Sequence, residues 1–574
     1  MKVSVTRVQA AVIVLIIIFA TAAGVGYNYY SSTSSTRPST APSVLHLAMV
    51  KGSSMASLNL LSPVYAYQLI CALYMPFATN NMPPMAPVQF FLGDSVTSNS
   101  DYTQWIYNLK QGLKWDNGVP LNATDLSYTL YLYKQAGLLQ NGENITAIKP
   151  INSTAVQVNL NASLPNFFYG SLANTSSLII LPYQVYKNIA ASDLASFSNF
   201  KNIVADGPYV THNYTVGQNP IILQANPYFY MGPPHFSQVA WHLYSSYESA
   251  IAAYKAGEID ALGLGGTYSS VSAMDNAQGY TLYPLTEVPF HTFGIIFNLF
   301  TYPFNITQFR QALAFATNVT QINYRLNYPK NFPNSNYDLL NDEQNSALGL
   351  SPSQIPSYRY NLAMTNKLLT SIGFKMVNGN WQYPDGTPVV INYQYASSYP
   401  DYGTLGTLLT QMWATAGFKV NVASQAEATI VSLRRSTSGW QVIGYDINGF
   451  GSSTGPLPTT TLPGYGTSPY PLTARLSSGK TIWWNSTYLT YVTKGSSYVL
   501  FSEDSNNYYR KAALTIAQSV PVIPILDEPT WIGLKNSYYW GDHANHTGAF
   551  NTEQEVNEAN GWGEMLWMVK PNPS

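Results

Sequence analysis

The chain has 574 residues, 46% of them hydrophobic and only 10% charged, with 45 Tyr and 12 Trp, whereas an average soluble domain is about 25% charged. Its 27 Lys and Arg are matched by 28 Asp and Glu, and no long basic run is present to track a phosphate backbone, which argues against nucleic acid as a partner. The single cysteine, Cys71, excludes an intrachain disulfide framework and a Cys-rich zinc or iron–sulfur site. At about 150 residues per domain the length suits three or four structural units.

A surface this poor in charge must be solvated by Ser, Thr, Asn, Gln and Tyr, whose hydrogen bonds do not change when carboxylates titrate. Such a coat suits an acidic medium; compositional drift in an exported protein accounts for it equally well. Sequons at Asn122, Asn144, Asn152, Asn161, Asn174, Asn213, Asn305, Asn318, Asn485 and Asn545 are glycosylation acceptors if the chain is exported. A composition this rich in Asn, Ser and Thr yields about as many by chance.

The amino terminus carries Lys2 and Arg7, then an uncharged apolar run from Ala10 to about Gly26. About 17 residues span about 26 Å as a helix, long for a signal peptide and marginal for a bilayer. Ala20 and Ala22 form an A-x-A cleavage site, so both outcomes stay open. The expectation is that residues 1–30 are retained as a membrane anchor, because no other tether is visible. The positive-inside rule then puts the rest of the chain outside the cell, beyond a Ser/Thr/Pro-rich stalk at 31–43.

Strand-like runs follow at Val44 to Val50, Val156 to Leu160, Ile221 to Leu223, Thr292 to Phe297, Val389 to Tyr395, Trp440 to Tyr445 and Val520 to Leu526. Helical patterns lie between them at Thr124 to Tyr133, Ser246 to Ala256 and Thr307 to Phe315. The alternation predicts an α/β fold with mixed sheet, and the lack of a fixed 20–50-residue period argues against a solenoid or propeller.

Five segments carry a recognisable layout: WIYNLKQGLKWDNGVPLNATDLSYTL from Trp105, ADGPYV from Ala205, IILQANPYFYMGPP from Ile221, SAIAAYKAGEID from Ser249 and IIFNLFTYPFNITQFRQALAFAT from Ile295. In order and spacing, over roughly residues 44 to 540, the chain resembles the peptide-type (family 5) extracellular solute-binding proteins of ABC uptake transporters. It departs from them at Asp206, where the turn before Pro-Tyr usually has glycine, and in lacking a lipidated cysteine. Gly118, Pro120, Thr124, Asp125, Gly257 and Arg310 read as scaffold, for turns, caps and helix starts.

The resemblance implies a two-lobed periplasmic-binding-protein-like α/β fold that closes on its ligand by hinge motion. Lobe I would comprise 44–285, with an inserted subdomain at 65–190, and lobe II 286–525; residues 526–574 would return to lobe I. Crossing strands near Glu287 to Phe293 and Val520 to Leu526 would form the hinge, stiffened by Pro289, Pro521 and Pro524.

Other motifs read as coincidence. Gly451-Ser452-Ser453-Thr454-Gly455 fits a nucleophile elbow, but Pro456 and Pro458 forbid the helix that must follow. Gly479-Lys480-Thr481 lacks the first P-loop glycine, and Asp542, His543 and His546 read as a solvated loop. His46, His212, His235, His242 and His291 are scattered. No catalytic residue, metal or cofactor is expected.

The ligand site is expected in Trp440 to Pro456, WQVIGYDINGFGSSTGP. In the resembled family the strand here ends in Gly-Trp, and an Asp three residues beyond the aromatic pairs with the ligand's α-ammonium. Here Gly444-Tyr445 is followed by Asn448, with Asp446 the only acid nearby; a competing register aligns Phe450 with the aromatic and Ser453 with the Asp. The expected ligand-binding residues are therefore Tyr445 for stacking, Asp446 and Asn448 for directional hydrogen bonds, and Phe450 as the alternative stacking group. The implied function is capture of an oligopeptide for an ABC permease by a monomeric, anchored, extracellular binding protein. An oligosaccharide is the alternative ligand, and a structural or adhesive surface glycoprotein is the reading from another class.

Overall fold

The computed structural model describes residues 44–572 except 51–66, 80–87, 137–138, 140, 173–176, 191–192, 194–195, 198–202, 213, 216, 266–273, 276, 286–290, 327–336, 341, 398–399, 435, 447–471, 476–480, 500–501, 529 and 541–565. The expected anchor and stalk lie outside the described residues, among which no helix is long and apolar enough to cross a membrane.

Two sheets organise the chain from Ser43 onward. In the first, Val44–Val50 lies at the centre of seven strands, parallel to Gln238–Tyr244 and Ala261–Gly265. Its alternation separates two cores, as the period of two requires: Leu45, Leu47 and Met49 enter the larger one, while Ala48 faces the helix Tyr247–Lys255. That helix is capped by Ser246, whose Oγ accepts the Ser249 N–H, and stops at Gly257, where φ is +80° and the Gly257 and Glu258 amides return to the Tyr254 and Ala253 carbonyls.

The inserted part of this lobe is a four-stranded antiparallel sheet, Gly93–Ser98, Gln104–Leu109, Ala155–Leu160 and Ile145–Pro150, covered by the helix Ala123–Gln135. The sequence places that helix's cap near Thr124 and Asp125. The cap is Asn122, with Asp125 closing the reciprocal bond to the Asn122 N–H at 3.0 Å.

The second sheet has five strands in the order Lys419–Gln425, Val390–Ala396, Val442–Asp446, His291–Phe297, Val522–Glu528. Its core is separate from the first. Arg310 fixes a corner of it. Fully buried in the helix Thr307–Phe315, it donates from Nε to the Ser519 and Val520 carbonyls and from Nη1 to Phe304 O at 2.6 Å. The Ser519 and Val520 carbonyls end the helix Glu503–Ser519, where Val520 turns left-handed, so orphan carbonyls and a buried cation satisfy each other. Burial pushes the guanidinium down to about 9.

The chain passes between the sheets twice, through residues 286–290 and 529, which lie outside the described residues. Tyr280–Leu285 pairs with Thr530–Lys535 as far as Leu285 opposite Thr530 in the first sheet, and His291–Phe297 pairs with Val522–Glu528 from His291 opposite Glu528 in the second. The second passage thus begins after Glu528, two residues beyond the expected Leu526. Pro524, which has no N–H to give, sits opposite Gly294 at a register shift.

The parallel strands of both sheets end at this crossing. Val44–Val50, Gln238–Tyr244 and Ala261–Gly265 all end at it, because Gly265 also lies opposite Thr530. From the other side Val390–Ala396, Lys419–Gln425 and Val442–Asp446 end at it too. Both lobes therefore turn the carboxyl ends of their parallel strands toward the cleft between them, where α/β sheets bind ligands.

Candidate functional site

Val442–Asp446 runs into that cleft edge between two partners, antiparallel to His291–Phe297 and parallel to Val390–Ala396. Val442 and Ile443 are buried and Tyr445 is half-buried. Gly444 is glycine for a steric reason: a Cβ there would collide with the Tyr393 hydroxyl. Tyr393, itself fully buried, passes beneath the strand and donates its hydroxyl to the Tyr402 carbonyl at 2.8 Å. Burial holds its phenol well above the usual tyrosine range.

This bond anchors a ladder of rings. Tyr402 stacks on Phe293 with centroids 4.2 Å apart and planes 14° from parallel, and Tyr445 follows at 6.4 Å and 16°. The ladder is closed by a cation: the guanidinium carbon of Arg434 lies 3.8 Å from the Tyr445 ring centroid, well inside cation–π range. Arg434 ends the helix Glu427–Leu433. It is only 8% exposed, its Nε has no hydrogen-bond partner among the described residues, and no carboxylate whose side chain is described forms an ion pair with it; the Asp446 and Glu427 side chains lie outside that set.

A buried guanidinium that rests on a ring face, with its Nε unpartnered among the described residues, retains hydrogen-bonding capacity for an anion, and Arg presents it as a planar fork suited to a carboxylate. The sequence directs attention to Tyr445 as a bare stacking surface; the structure places it under Arg434, so the two side chains form one unit. Asp446 is the last residue of the strand, opposite Phe293. Asn448, Phe450 and Ser453 lie outside the described residues, as do the Gly451–Gly455 motif, Lys480, Asp542, His543 and His546.

A contact among the described residues joins the two lobes. The Asn166 side chain, from the inserted subdomain, donates Nδ2 to the Tyr498 carbonyl at 2.8 Å and to Ser496 O at 3.3 Å in the second lobe. Two of the scattered histidines also meet, His46 Nδ1 lying 3.0 Å from His242 Nε2. No group of three or more His, Cys, Asp or Glu among the described residues is arranged to hold a metal ion.

Residues 88–468 match the family model described as bacterial extracellular solute-binding proteins, family 5 Middle. Among curated relatives, the periplasmic oligopeptide-binding protein OppA of Salmonella typhimurium is 27% identical over 28% of this chain and 33% of its own. The oligopeptide-binding protein AppA of Bacillus subtilis is 24% identical over 51% and 53%. The chain thus spans a third to about half the length of the curated relatives it matches. Solved structures share the two-lobed fold over nearly the whole chain. NikZ from Campylobacter jejuni, in complex with Ni(L-His), has a TM-score of 0.72 at 17% identity, covering 92% of this chain and 99% of that one. A mannohexaose-bound periplasmic oligopeptide-binding protein from Thermotoga maritima has 0.71 at 17%, covering 94% and 100%. Proteins of this kind bind small ligands outside the cytoplasm and deliver them to an ABC permease. By the match over residues 88–468, this chain belongs to family 5 of the extracellular solute-binding proteins.

Proposed function

We propose that this protein captures oligopeptides between its lobes and passes them to the permease of an ABC importer, with the ligand's terminal carboxylate received by Arg434. The observation that carries this reading is the Arg434–Tyr445 unit: a buried cation on a ring face, with no ion-pair partner among the described side chains, beside the cleft end of a strand. Burying a charge is costly unless something pairs with it, and a ligand carboxylate supplies that partner on closure. Tyr445 contributes apolar contact, Asp446 and Asn448 give directional hydrogen bonds, and Phe450 is the alternative stacking group. The protein acts as a monomer and has no catalytic role. It is held on the outer face of the membrane by the helix from Ala10 to Gly26.

The oligosaccharide reading is supported by the Phe293–Tyr402–Tyr445 ladder, since sugars pack on aromatic faces, and by the mannohexaose bound to the Thermotoga relative. A thermal-shift screen of peptides and neutral oligosaccharides separates the two, because a ligand at 100 times its Kd adds about 2.7 kcal/mol of stability. Shifts with peptides support the proposal; shifts only with oligosaccharides replace it.

A further inference from the structure

The turn Ala205 to Tyr209 carries Asp206 in the interior of the first lobe, 3% exposed. Its backbone leaves it no way out. The Asp206 and Gly207 amides both donate to the Leu73 carbonyl, at 3.1 and 2.7 Å, and a Cβ at Gly207 would collide with the Ala72 and Leu73 carbonyls. Neither carboxyl oxygen of Asp206 has a hydrogen-bond partner. The nearest donors, the amides of Met75 and of Asp206 itself, oppose its protonation without meeting hydrogen-bond geometry.

The surrounding groups bring acid rather than base. Asp116, also buried, accepts the Ala205 N–H at 3.0 Å, and Asp125 accepts the Asn122 and Tyr183 amides at 3.0 and 2.9 Å. The Tyr74 hydroxyl donates to Val204 O at 2.9 Å, and Tyr186 lies beyond it. Among the described residues the one basic side chain within ion-pair reach of these three carboxyl groups is His212, 3.6 Å from Asp116 and largely exposed. Burial, and then the neighbouring Asp116 and Asp125, holds the Asp206 carboxyl well above the usual range; burial also raises Asp116 and Asp125.

We propose that Asp206 works as an uncharged, buried carboxylic acid, and that the first lobe is built for an acidic medium, gaining stability as the pH falls. A carboxylate here would have no well-formed hydrogen bond and no counter-ion, and burying that charge costs far more than burying the neutral acid. The folded state therefore holds the Asp206 proton more tightly than the unfolded chain, whose carboxyl titrates near about 3.9. Stability is fully present below that value and is lost as the pH rises toward the folded one. The scarcity of charge in the sequence, 10% of residues, points the same way through a different physical term, since a coat of neutral hydrogen-bonding groups keeps its solvation in acid.

The test is thermal unfolding of the full chain from pH 3 to 8, comparing wild type with Asp206→Asn, which makes the neutral state permanent. The melting temperature of Asp206→Asn should exceed that of wild type by about 2–4 °C at pH 7.5, with the difference vanishing near pH 4. A difference that does not change with pH, or a variant less stable at pH 7.5, overturns the proposal. Should Asp206→Asn fail to fold, Asp206→Gly replaces it in the same comparison. Infrared difference spectra supply an independent readout: at pH 7 a protonated-carboxyl band should be present in wild type and lost in the variant, and no loss refutes the assignment. His212→Gln should leave the pH-dependent difference in place; if it abolishes it, the titration belongs to Asp116 and the proposal fails.

Discussion

Arg434 covers Tyr445, its guanidinium carbon 3.8 Å from the ring centroid. The residue that the sequence singles out for stacking is thus paired with a cation that the sequence does not, and the pair stands where the strand Val442–Asp446 reaches the cleft. Replacing Arg434 should therefore act mainly on ligand. Arg434→Gln removes a charge-assisted bond of about 1.5–3 kcal/mol, so peptide affinity measured by calorimetry should fall about 10- to 100-fold. Retention of full affinity would remove Arg434 from the site.

Tyr445 should tolerate Phe and not Ala. Tyr445→Phe keeps both the cation–π contact and the ring ladder, whereas Tyr445→Ala loses them, weakening binding by about 1–3 kcal/mol. The melting temperature of the empty protein should change little with Tyr445→Phe and fall with Tyr445→Ala, which leaves the buried guanidinium without its ring face. Equal binding by both variants would show that Tyr445 does not contribute.

Gly444→Ala should destabilise the second lobe by about 1–3 kcal/mol, because the new methyl group and the Tyr393 hydroxyl occupy one place. Adding Tyr393→Phe should recover part of that loss in urea unfolding while giving up the bond to Tyr402 O. Additive losses in the double variant would show that the two residues do not interfere.

Asn166 should hold the closed form. Asn166→Ala removes the bonds from the inserted subdomain to Tyr498 O and Ser496 O, so ligand should dissociate several-fold faster in stopped-flow measurements, with little change in the melting of the empty protein. An unchanged off-rate would mean that this contact forms independently of closure.

His242 should respond to acid with a sign opposite to Asp206. Burial, then the His46 ring 3.0 Å away, lowers its pKa below the ordinary 6.5, so the unfolded chain takes up the proton first and stability is lost as the pH falls through that range. His242→Gln should match wild type in melting temperature at pH 8 and rise above it near pH 5. A difference constant across pH would contradict the assignment.

Much of the fold is legible in local sequence because local physics sets it. The helix Thr307–Phe315 and the strand Val44–Val50 fall where periodicity puts them, and Gly257 stops its helix in the left-handed conformation that glycine adopts readily. Long-range features are not legible in this way. His46 and His242 are 196 residues apart and meet because two parallel strands bring them together. Asp206 is visible in the sequence as a departure from a glycine turn, but only the packing of Leu73, Asp116 and Asp125 around it reveals an acid without a partner. Arg434 leaves one trace in the sequence: two adjacent arginines just before the strand Val442–Asp446, in a chain with only 10% charged residues.

The most direct measurement is isothermal titration of the full chain with one peptide in two forms, free acid and carboxyl-terminal amide, each against wild type and Arg434→Gln. The free acid should bind wild type about 10- to 100-fold more tightly than the amide, and Arg434→Gln should erase that preference. Equal affinity of wild type for both forms, or binding of neutral oligosaccharide alone, would contradict the account.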